Sequence, residues 1–565
     1  MSPASRPSKT AGAEGPWLAG LLFAGLAVYY MYLGVHEGVP GIIADDAIYL
    51  LMADAWSPYF PELAGSADFV SNHVRFPPLY PAILALSGAG SHQLPAAHAV
   101  TVGFLLASFV AFFFWLHAAP GTRGQAMILV LAFALLPTTQ IHALDLWSEH
   151  LYLFFSVCAL AVSRGCTLRG WMIVALLVSA AALTRTAGIA LVAAFMGIVW
   201  LTPAPRRIWL TVTALAPLAA WVLIRSFDTT EDQNIAFLFS KYGSADPEAT
   251  WRLLLGNAQA LWHGWRTSFD VVGTNFGPAL AVLCGALWIA GWSLRIRRFQ
   301  LDAIYVLFYL AIILVWPNQD HSRRFLFPLM PVALFQCLAF LNRLPAFRTG
   351  AAPPPYGIAF AVLLVLAAAP SNAAIGARLF APMQQEISEF RRTKVWLTHV
   401  DANTAAHNLR MLKLAVSSYR IAAEYVPAEA CVFSVHPEMF MYYARRSSYA
   451  PPVPLVPDDE FRNRILRCRY VHLLWMTTHP YLAPGYPGGR IEGGSVLYRA
   501  QWKVENGIVT YAELIDMGRG SAFPGRGHPP QGTAVARIRR GTQARRMGGP
   551  GADTDGEPAC TAACP

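Results

Sequence analysis

Two adjacent aspartates, Asp45 and Asp46, stand in the run GIIADDAIYLL, just beyond the first apolar stretch of a chain otherwise built for lipid. Carboxylates beside a bilayer are costly to desolvate and add nothing to a lipid-facing fold, so they point to chemistry. A carboxylate in such a place suits removal of a proton from a hydroxyl or amine. Arginines follow in HVRFPPLYP (Arg75), LTRTAG (Arg185) and SRRFLFPL (Arg323 and Arg324). The planar guanidinium fork makes paired, charge-assisted hydrogen bonds that match a phosphate. Further titratable residues punctuate the ends of apolar runs: His73, His142, Asp145, Glu149, His150, Asp320 and His321.

The elements that must position these residues are membrane spans. Of 565 residues, 55% are hydrophobic and only 13% charged, whereas a soluble domain carries about 25% charged residues. Apolar runs fall at roughly 16–36, 94–117, 125–142, 147–163, 170–184, 187–202, 208–224, 273–294, 301–317, 323–343 and 355–370. Several are shorter than the ~20 residues of a perpendicular transmembrane helix, so charge alternation is the stronger test. With Arg6 and Lys9 cytoplasmic, every second loop should be basic. Those loops carry Arg123; Arg164 and Arg169; Arg206 and Arg207; Arg295, Arg297 and Arg298; and Arg343 with Arg348, with essentially no acid apart from Glu14. The opposite loops hold Asp45, Asp46, Asp54, Asp68, Asp145, Asp228, Glu231, Asp246 and Asp320. The expected topology is eleven spans with the N-terminus inside and the C-terminal domain outside. A cleaved signal peptide fits the first span poorly, because it runs past 20 residues and residues 33–41 lack an A-x-A-like site.

The expected organisation is a cytoplasmic N-terminus (1–15), a transmembrane module (16–370) with large outer loops at 37–93 and 225–270, an extracytoplasmic α/β domain (371–516) and a disordered Gly/Pro/Arg-rich tail (517–565). Apolar residues near helical spacing around the Asp pair predict a helix over 47–56 lying along the membrane surface, its carboxylates facing a cavity. A second helix is predicted through Trp251–Trp265. Strands are predicted at 429–436, 470–476 and 495–504. Cys158, Cys166, Cys284 and Cys337 lie in or beside spans as apolar fillers, whereas Cys431 and Cys468 fall where a disulfide is permitted. The net charge of +10 is spread over inner loops and the tail, which excludes a nucleic-acid-binding patch.

This topology gathers the chemistry-bearing residues at one level, the outer membrane–water boundary. Acids and arginines together there describe a site for a phosphate-bearing amphiphile and a polar acceptor. Each residue also has a structural explanation: Asp45 and Asp46 as a helix cap, Arg185 snorkelling to headgroups, Asp145 and Glu149 favouring a helix dipole. Arg323 and Arg324 face outward against the charge rule, which weakens a purely topological role. A divalent cation held by Asp45, Asp46, His142 and Glu149 is conceivable, but their spacing matches no compact ligand motif, so no metal ligand is assigned.

ADDAIYLLMADAW followed by RFPPLYPAILAL resembles the first extracytoplasmic loop of GT-C fold glycosyltransferases, in the bacterial branch of protein O-mannosyltransferases and aminoarabinose transferases. WSEHLYLFF, LTRTAGIAL and SRRFLFPLMPVAL are similar to later segments of that group, in order, over about residues 1–370. The resemblance implies a multi-pass enzyme of the bacterial inner membrane that moves a sugar from a polyprenyl-phosphate donor to an extracytoplasmic glycan, lipid or protein. It implies a first-loop acid as base, Asp45 or alternatively Asp46, and places the donor phosphate on Arg75, Arg185 and Arg324. His73, Asp145, Glu149 and Arg323 would support them. The aminoarabinose transferases carry an acid and a lysine before the two prolines, where this chain has Arg75 and Phe76; a lipid A acceptor is therefore not implied. A transporter or flippase would place polar residues at mid-span, and the span interiors here are almost free of charge. A scaffold for the C-terminal domain would leave the Asp pair and outer arginines unexplained.

Overall fold

The computed structural model describes residues 15–36, 38, 45–60, 76–118, 123–165, 167–201, 206–226, 242–243, 246–270, 277–316, 321–344, 356–398, 402–434, 436–449, 468–474, 495–504 and 507–518. Two compact units divide the chain, residues 1–412 and 413–565.

The first unit is a helical, multi-pass membrane module. Six of its helical segments are long and apolar enough to cross a membrane, and five more are apolar helices of 10–17 residues. Each of the eleven expected spans falls on one of these segments. Large apolar side chains such as Leu21, Val28, Trp209, Ile224 and Leu366 remain exposed along them, as lipid-facing surfaces require. Prolines break two spans where the site is built. The run 123–142 divides into helices Arg123–Leu135 and Pro137–His142, because Pro137 cannot donate to the preceding turn. The tenth span divides into Ser322–Leu326, a 3₁₀ turn Phe327–Leu329 containing Pro328, and Met330–Leu341.

The helix Asp45–Trp56 departs from expectation. Rather than lying amphipathically on a surface, it is buried without interruption from Asp46 to Asp54. Tyr49 anchors it: its ring meets Tyr80 edge-on at 4.9 Å, and its hydroxyl lies 2.9 Å from Ser148 Oγ. At the far end Asp54 accepts a 2.9 Å hydrogen bond from the Ser91 backbone N–H. Packing on all sides, not an apolar stripe, therefore fixes the helix that carries the Asp pair. The second predicted loop helix runs over Pro247–Phe269 with Asp246 capping the Ala249 N–H, and it contains the predicted Trp251–Trp265 segment.

The first compact unit runs on to residue 412. The last apolar helix, Tyr356–Phe380, continues past residue 370, and the segment after it packs into the first unit. Ile387, Phe390, Trp396, Leu397, Ala405 and Leu409 form a cluster with Leu33, Leu144, Ile375 and Leu379. The sequence of 371–412 reads as soluble because its charges alternate with these buried apolar residues.

The second unit contains a five-stranded mixed sheet of order β2-β1-β3-β5-β4: β1 Val432–Ser434, β2 Ser448–Tyr449, β3 Tyr470–Leu474, β4 Ser495–Val504 and β5 Gly507–Asp516. β2, β1 and β3 are parallel, and β5 pairs antiparallel with both β3 and β4. The three predicted strands correspond to β1, β3 and β4. Cys431 and Cys468 form a disulfide beside the β1–β3 pair, with Cα atoms 5.0 Å apart. Most of the 517–565 tail lies outside the described residues.

Candidate active site

Four of the residues singled out by sequence meet in one charge network. Glu149 opens the helix Glu149–Val162, where the positive helix end favours a carboxylate. It is wholly buried and takes hydrogen bonds from two Arg324 nitrogens, Nε and Nη2, the latter at 3.2 Å. Arg185 pairs with the same carboxylate. Arg324 also reaches Asp45, Nη1 to Oδ2 at 2.5 Å, and its guanidinium lies 4.4 Å from the centre of the Trp147 ring. Two cations and two carboxylates balance. Buried ions need such pairing, because desolvation costs several kcal/mol for each.

Local sequence explains each placement. Arg185 is the extended residue between helix Leu168–Thr184 and the 3₁₀ turn Thr186–Gly188. That reversal is tight: a Cβ on Gly188 would lie 2.6 Å from the Ala181 carbonyl oxygen. Arg324 sits on the short helix before the proline-broken tenth span. Asp45 begins the buried helix, and its side chain keeps 26% of its exposure while that of Glu149 has none.

A second set of groups adjoins this network. Asp46 is buried, and its Oδ1 has no hydrogen-bond partner among the described residues. Burial, followed by the Asp145 carboxylate, pushes its carboxyl well above the usual range, against the opposing field of Arg324. Burial likewise lifts Asp145 to about 6, although Lys394, Arg324 and Arg323 oppose the rise. Lys394, from the short helix Lys394–Thr398, is pulled down to about 8 by burial and by the Arg323 guanidinium. Gly264 lets the helix Pro247–Phe269 approach Arg323 closely: a Cβ there would lie 2.7 Å from the Arg323 backbone nitrogen.

Asp45, Asp46, Asp145, Glu149, Arg185, Arg323 and Arg324 are therefore neighbours. His73, Arg75 and Asp320 lie outside the described residues. The two histidines of the cluster behave as packing groups: among the described residues neither ring nitrogen of His142 has a hydrogen-bond partner, and its ring meets Phe327 edge-on at 4.3 Å, while His150 Nδ1 lies 3.1 Å from the Trp147 carbonyl oxygen. His321 packs near Phe325, ring centres 6.3 Å apart. Among the described residues no three His, Cys, Asp or Glu side chains form a group suited to a metal ion, so Asp45, Asp46, His142 and Glu149 do not constitute one. Sequence reasoning missed Trp147, Tyr49 and, above all, Lys394. A signal for Lys394 existed: Arg391, Arg392 and Lys394 follow the last span on the expected outer side, against the same charge rule that Arg323 and Arg324 break.

No family model matches the chain, and no curated protein matches it in sequence. Its structure is similar to that of ArnT from Cupriavidus metallidurans bound to undecaprenyl phosphate, with a TM-score of 0.50 and 14% identity over 89% of this chain and 98% of that one. The fold is GT-C. The apo form of the same ArnT has a TM-score of 0.49 at 14% identity, again over 89% and 98%. The Archaeoglobus fulgidus oligosaccharyltransferase in complex with zinc and sulfate has a TM-score of 0.42 at 13% identity, over 81% of this chain and 67% of that one. The GT-C assignment covers architecture: several apolar helices and a small C-terminal sheet.

Proposed function

We propose that this chain is a membrane glycosyltransferase that moves a sugar from a polyprenyl-phosphate donor to an acceptor on the extracytoplasmic face of the bacterial inner membrane. The observation that carries this reading is the Asp45–Arg324–Glu149–Arg185 network in a chain with the GT-C fold. The basic loops support a cytoplasmic N-terminus with these residues on the other side.

Asp45 is the base. It is the accessible carboxylate of the network, and Arg324 fixes its orientation through one oxygen while leaving the other for an acceptor proton. Asp46 is the poorer choice: it is buried, and burial followed by the Asp145 carboxylate raises its carboxyl well above the usual range, which disfavours the ionised form. In the reaction the acceptor oxygen or nitrogen bonds to the anomeric carbon as the carbon–oxygen bond to phosphate breaks. Asp45 takes the acceptor proton and the phosphate keeps the bonding pair. Attack opposite the leaving group inverts the anomeric centre. Arg185 and Arg324, fixed by Glu149, supply a preorganised positive field where negative charge grows on the departing phosphate. A polyprenyl phosphate is already an acidic leaving group and needs no general acid. Arg75, outside the described residues, is a further donor-phosphate ligand in this scheme, and His73 an adjoining polar support.

The test is transfer from a labelled polyprenyl-phosphate sugar by the purified chain. Asp45→Asn should remove activity with no loss of folded protein; undiminished transfer by that variant would sink the assignment.

A further inference from the structure

The first helix, Gly15–Gly34, carries a groove on its open side. Leu21, Ala24, Gly25, Val28, Tyr29 and Tyr32 recur at three- and four-residue spacing, so they share one face, and they line a hollow of about 610 Å³. Ala24 and Gly25 supply the depth between larger side chains. A Cβ added to Gly25 would meet nothing within 4 Å, so packing against the rest of the protein does not call for glycine there. From Leu21 to Tyr32 the face runs about 16 Å, which is about half of a hydrocarbon core ~30 Å thick, the depth of one leaflet. A cation stands at its head. The Arg392 guanidinium lies 4.8 Å from the centre of the Tyr32 ring, and its Nη1 donates to the Val35 carbonyl at 2.8 Å. Among the described residues that is its only hydrogen bond, and no carboxylate pairs with it. The adjacent Arg391 is engaged differently, its Nη1 closing on the Leu379 and Ala381 carbonyls at 3.1 and 2.7 Å. A guanidinium has five N–H donors, so Arg392 keeps most of its own for an acceptor outside the protein. The exposed Phe380 ring stacks on Tyr32, centres 6.4 Å apart, and extends the apolar wall at this level. His36, one turn beyond Tyr32, has Nε2 3.3 Å from the Leu144 carbonyl, so the head of the groove lies at the same end of the unit as Asp145.

We infer that this face binds an anionic phospholipid, with one acyl chain in the groove and the headgroup phosphate on Arg392. The length of the groove matches an acyl chain that ends at the bilayer midplane. The planar fork of Arg392 matches two phosphate oxygens, and the Tyr32 ring holds it at the boundary where a headgroup lies. With no carboxylate on Arg392 among the described residues, its positive charge favours a lipid of net negative charge over a zwitterionic one. The site brings together the first helix and the segment after the last one, 360 residues apart at Tyr32 and Arg392, so it exists only in the folded unit. It shares no residue with the Glu149 network and does not depend on the proposed transfer reaction.

The experiment uses the purified full chain in phosphatidylcholine nanodiscs that contain a trace of phosphatidylglycerol or phosphatidylcholine with a diazirine in one acyl chain. After irradiation, labelled peptides are read by mass spectrometry. The phosphatidylglycerol should label residues 21–32 about fivefold more than the phosphatidylcholine at equal mole fraction. Gly25→Leu fills the groove without touching a neighbour and should lower that labelling about tenfold. Gly20→Leu is the control: its Cβ also meets nothing within 4 Å, but Gly20 does not line the groove, so labelling should stay unchanged. Arg392→Gln should make the two lipids equal, and Arg392→Lys should keep most of the preference. Equal labelling by both lipids in the wild type overturns the headgroup assignment, and labelling indifferent to Gly25→Leu overturns the groove. Suppression of the label by an equimolar amount of polyprenyl phosphate would overturn the phospholipid as occupant and give the groove to that chain instead.

Discussion

Two buried charge clusters lie toward opposite ends of the segment Ser322–Leu341, and they obey different rules. Arg324 and Gln336, twelve residues apart on that segment, mark them about 18 Å from each other along the helix. At the Gln336 end, Asp302 takes two hydrogen bonds from Arg295, both 2.6 Å, and a third from Gln336 at 2.8 Å. Gln336 in turn accepts from Trp288 Nε1 at 2.8 Å. The Asp302 carboxylate has a donor on each oxygen, and the network closes on itself. At the Arg324 end, Glu149 is paired with both arginines, yet among the described residues Asp46 Oδ1 and Asp145 Oδ2 beside it have no hydrogen-bond partner. A closed buried network stabilises a fold, whereas a partly satisfied one costs stability and is retained for what it does. The comparison separates a structural cluster from a working one without appeal to which residues they contain, since both use arginines and carboxylates.

The largest effect should come from opening the working cluster at its hub. Glu149→Gln leaves Arg185 and Arg324 sharing one remaining carboxylate, and should lower transfer by about a thousandfold while costing about 3–5 kcal/mol of stability. Calorimetry and a transfer assay on one preparation check both numbers. Asp302→Asn should cost about 3 kcal/mol in the same calorimetry and leave turnover per folded molecule unchanged. If Asp302→Asn instead reduced turnover as strongly as Glu149→Gln, the distinction between the clusters would fail.

Two glycines sharpen the contrast. A Cβ on Gly291 would collide with the Gln336 carbonyl, and one on Gly264 would press on the backbone of Ser322 and Arg323. Gly291→Ala should cost about 1–3 kcal/mol by overpacking and leave turnover per folded molecule unchanged. Gly264→Ala should have a similar cost but also displace the Ser322–Arg323 backbone, lowering turnover per folded molecule severalfold. The smallest effect is electrostatic. Asp145→Asn removes an acid that raises the Lys394 amine, so the pH midpoint for acylation of Lys394, read by mass spectrometry on the purified chain, should fall below about 8.

Much of this was legible in sequence because lipid imposes simple rules. Apolar runs marked the helices, and the alternation of basic and acidic loops put Asp45, Glu149, Arg185 and Arg324 at one level before any contact was known. Less was legible where tertiary packing overrides pattern. The helix Asp45–Trp56 is buried all round, which its mixed sequence does not show. The segment 371–412 reads as soluble, yet apolar residues within it pack into the first unit against Leu33 and Leu144. Strand β5 was overlooked although Asn506–Gly507 after a strand is a strong hairpin signal. Pairing partners such as Arg324 and Asp45, 279 residues apart, no local rule can find.

The central claim is that Asp45 accepts the acceptor's proton. The most direct measurement is release of polyprenyl phosphate from a labelled polyprenyl-phosphate sugar, by wild type and Asp45→Asn in nanodiscs with a bacterial envelope extract as acceptor. The account predicts acceptor-dependent release by the wild type and at least a thousandfold loss in the variant, with both proteins equally stable. Equal release by the two proteins would contradict it.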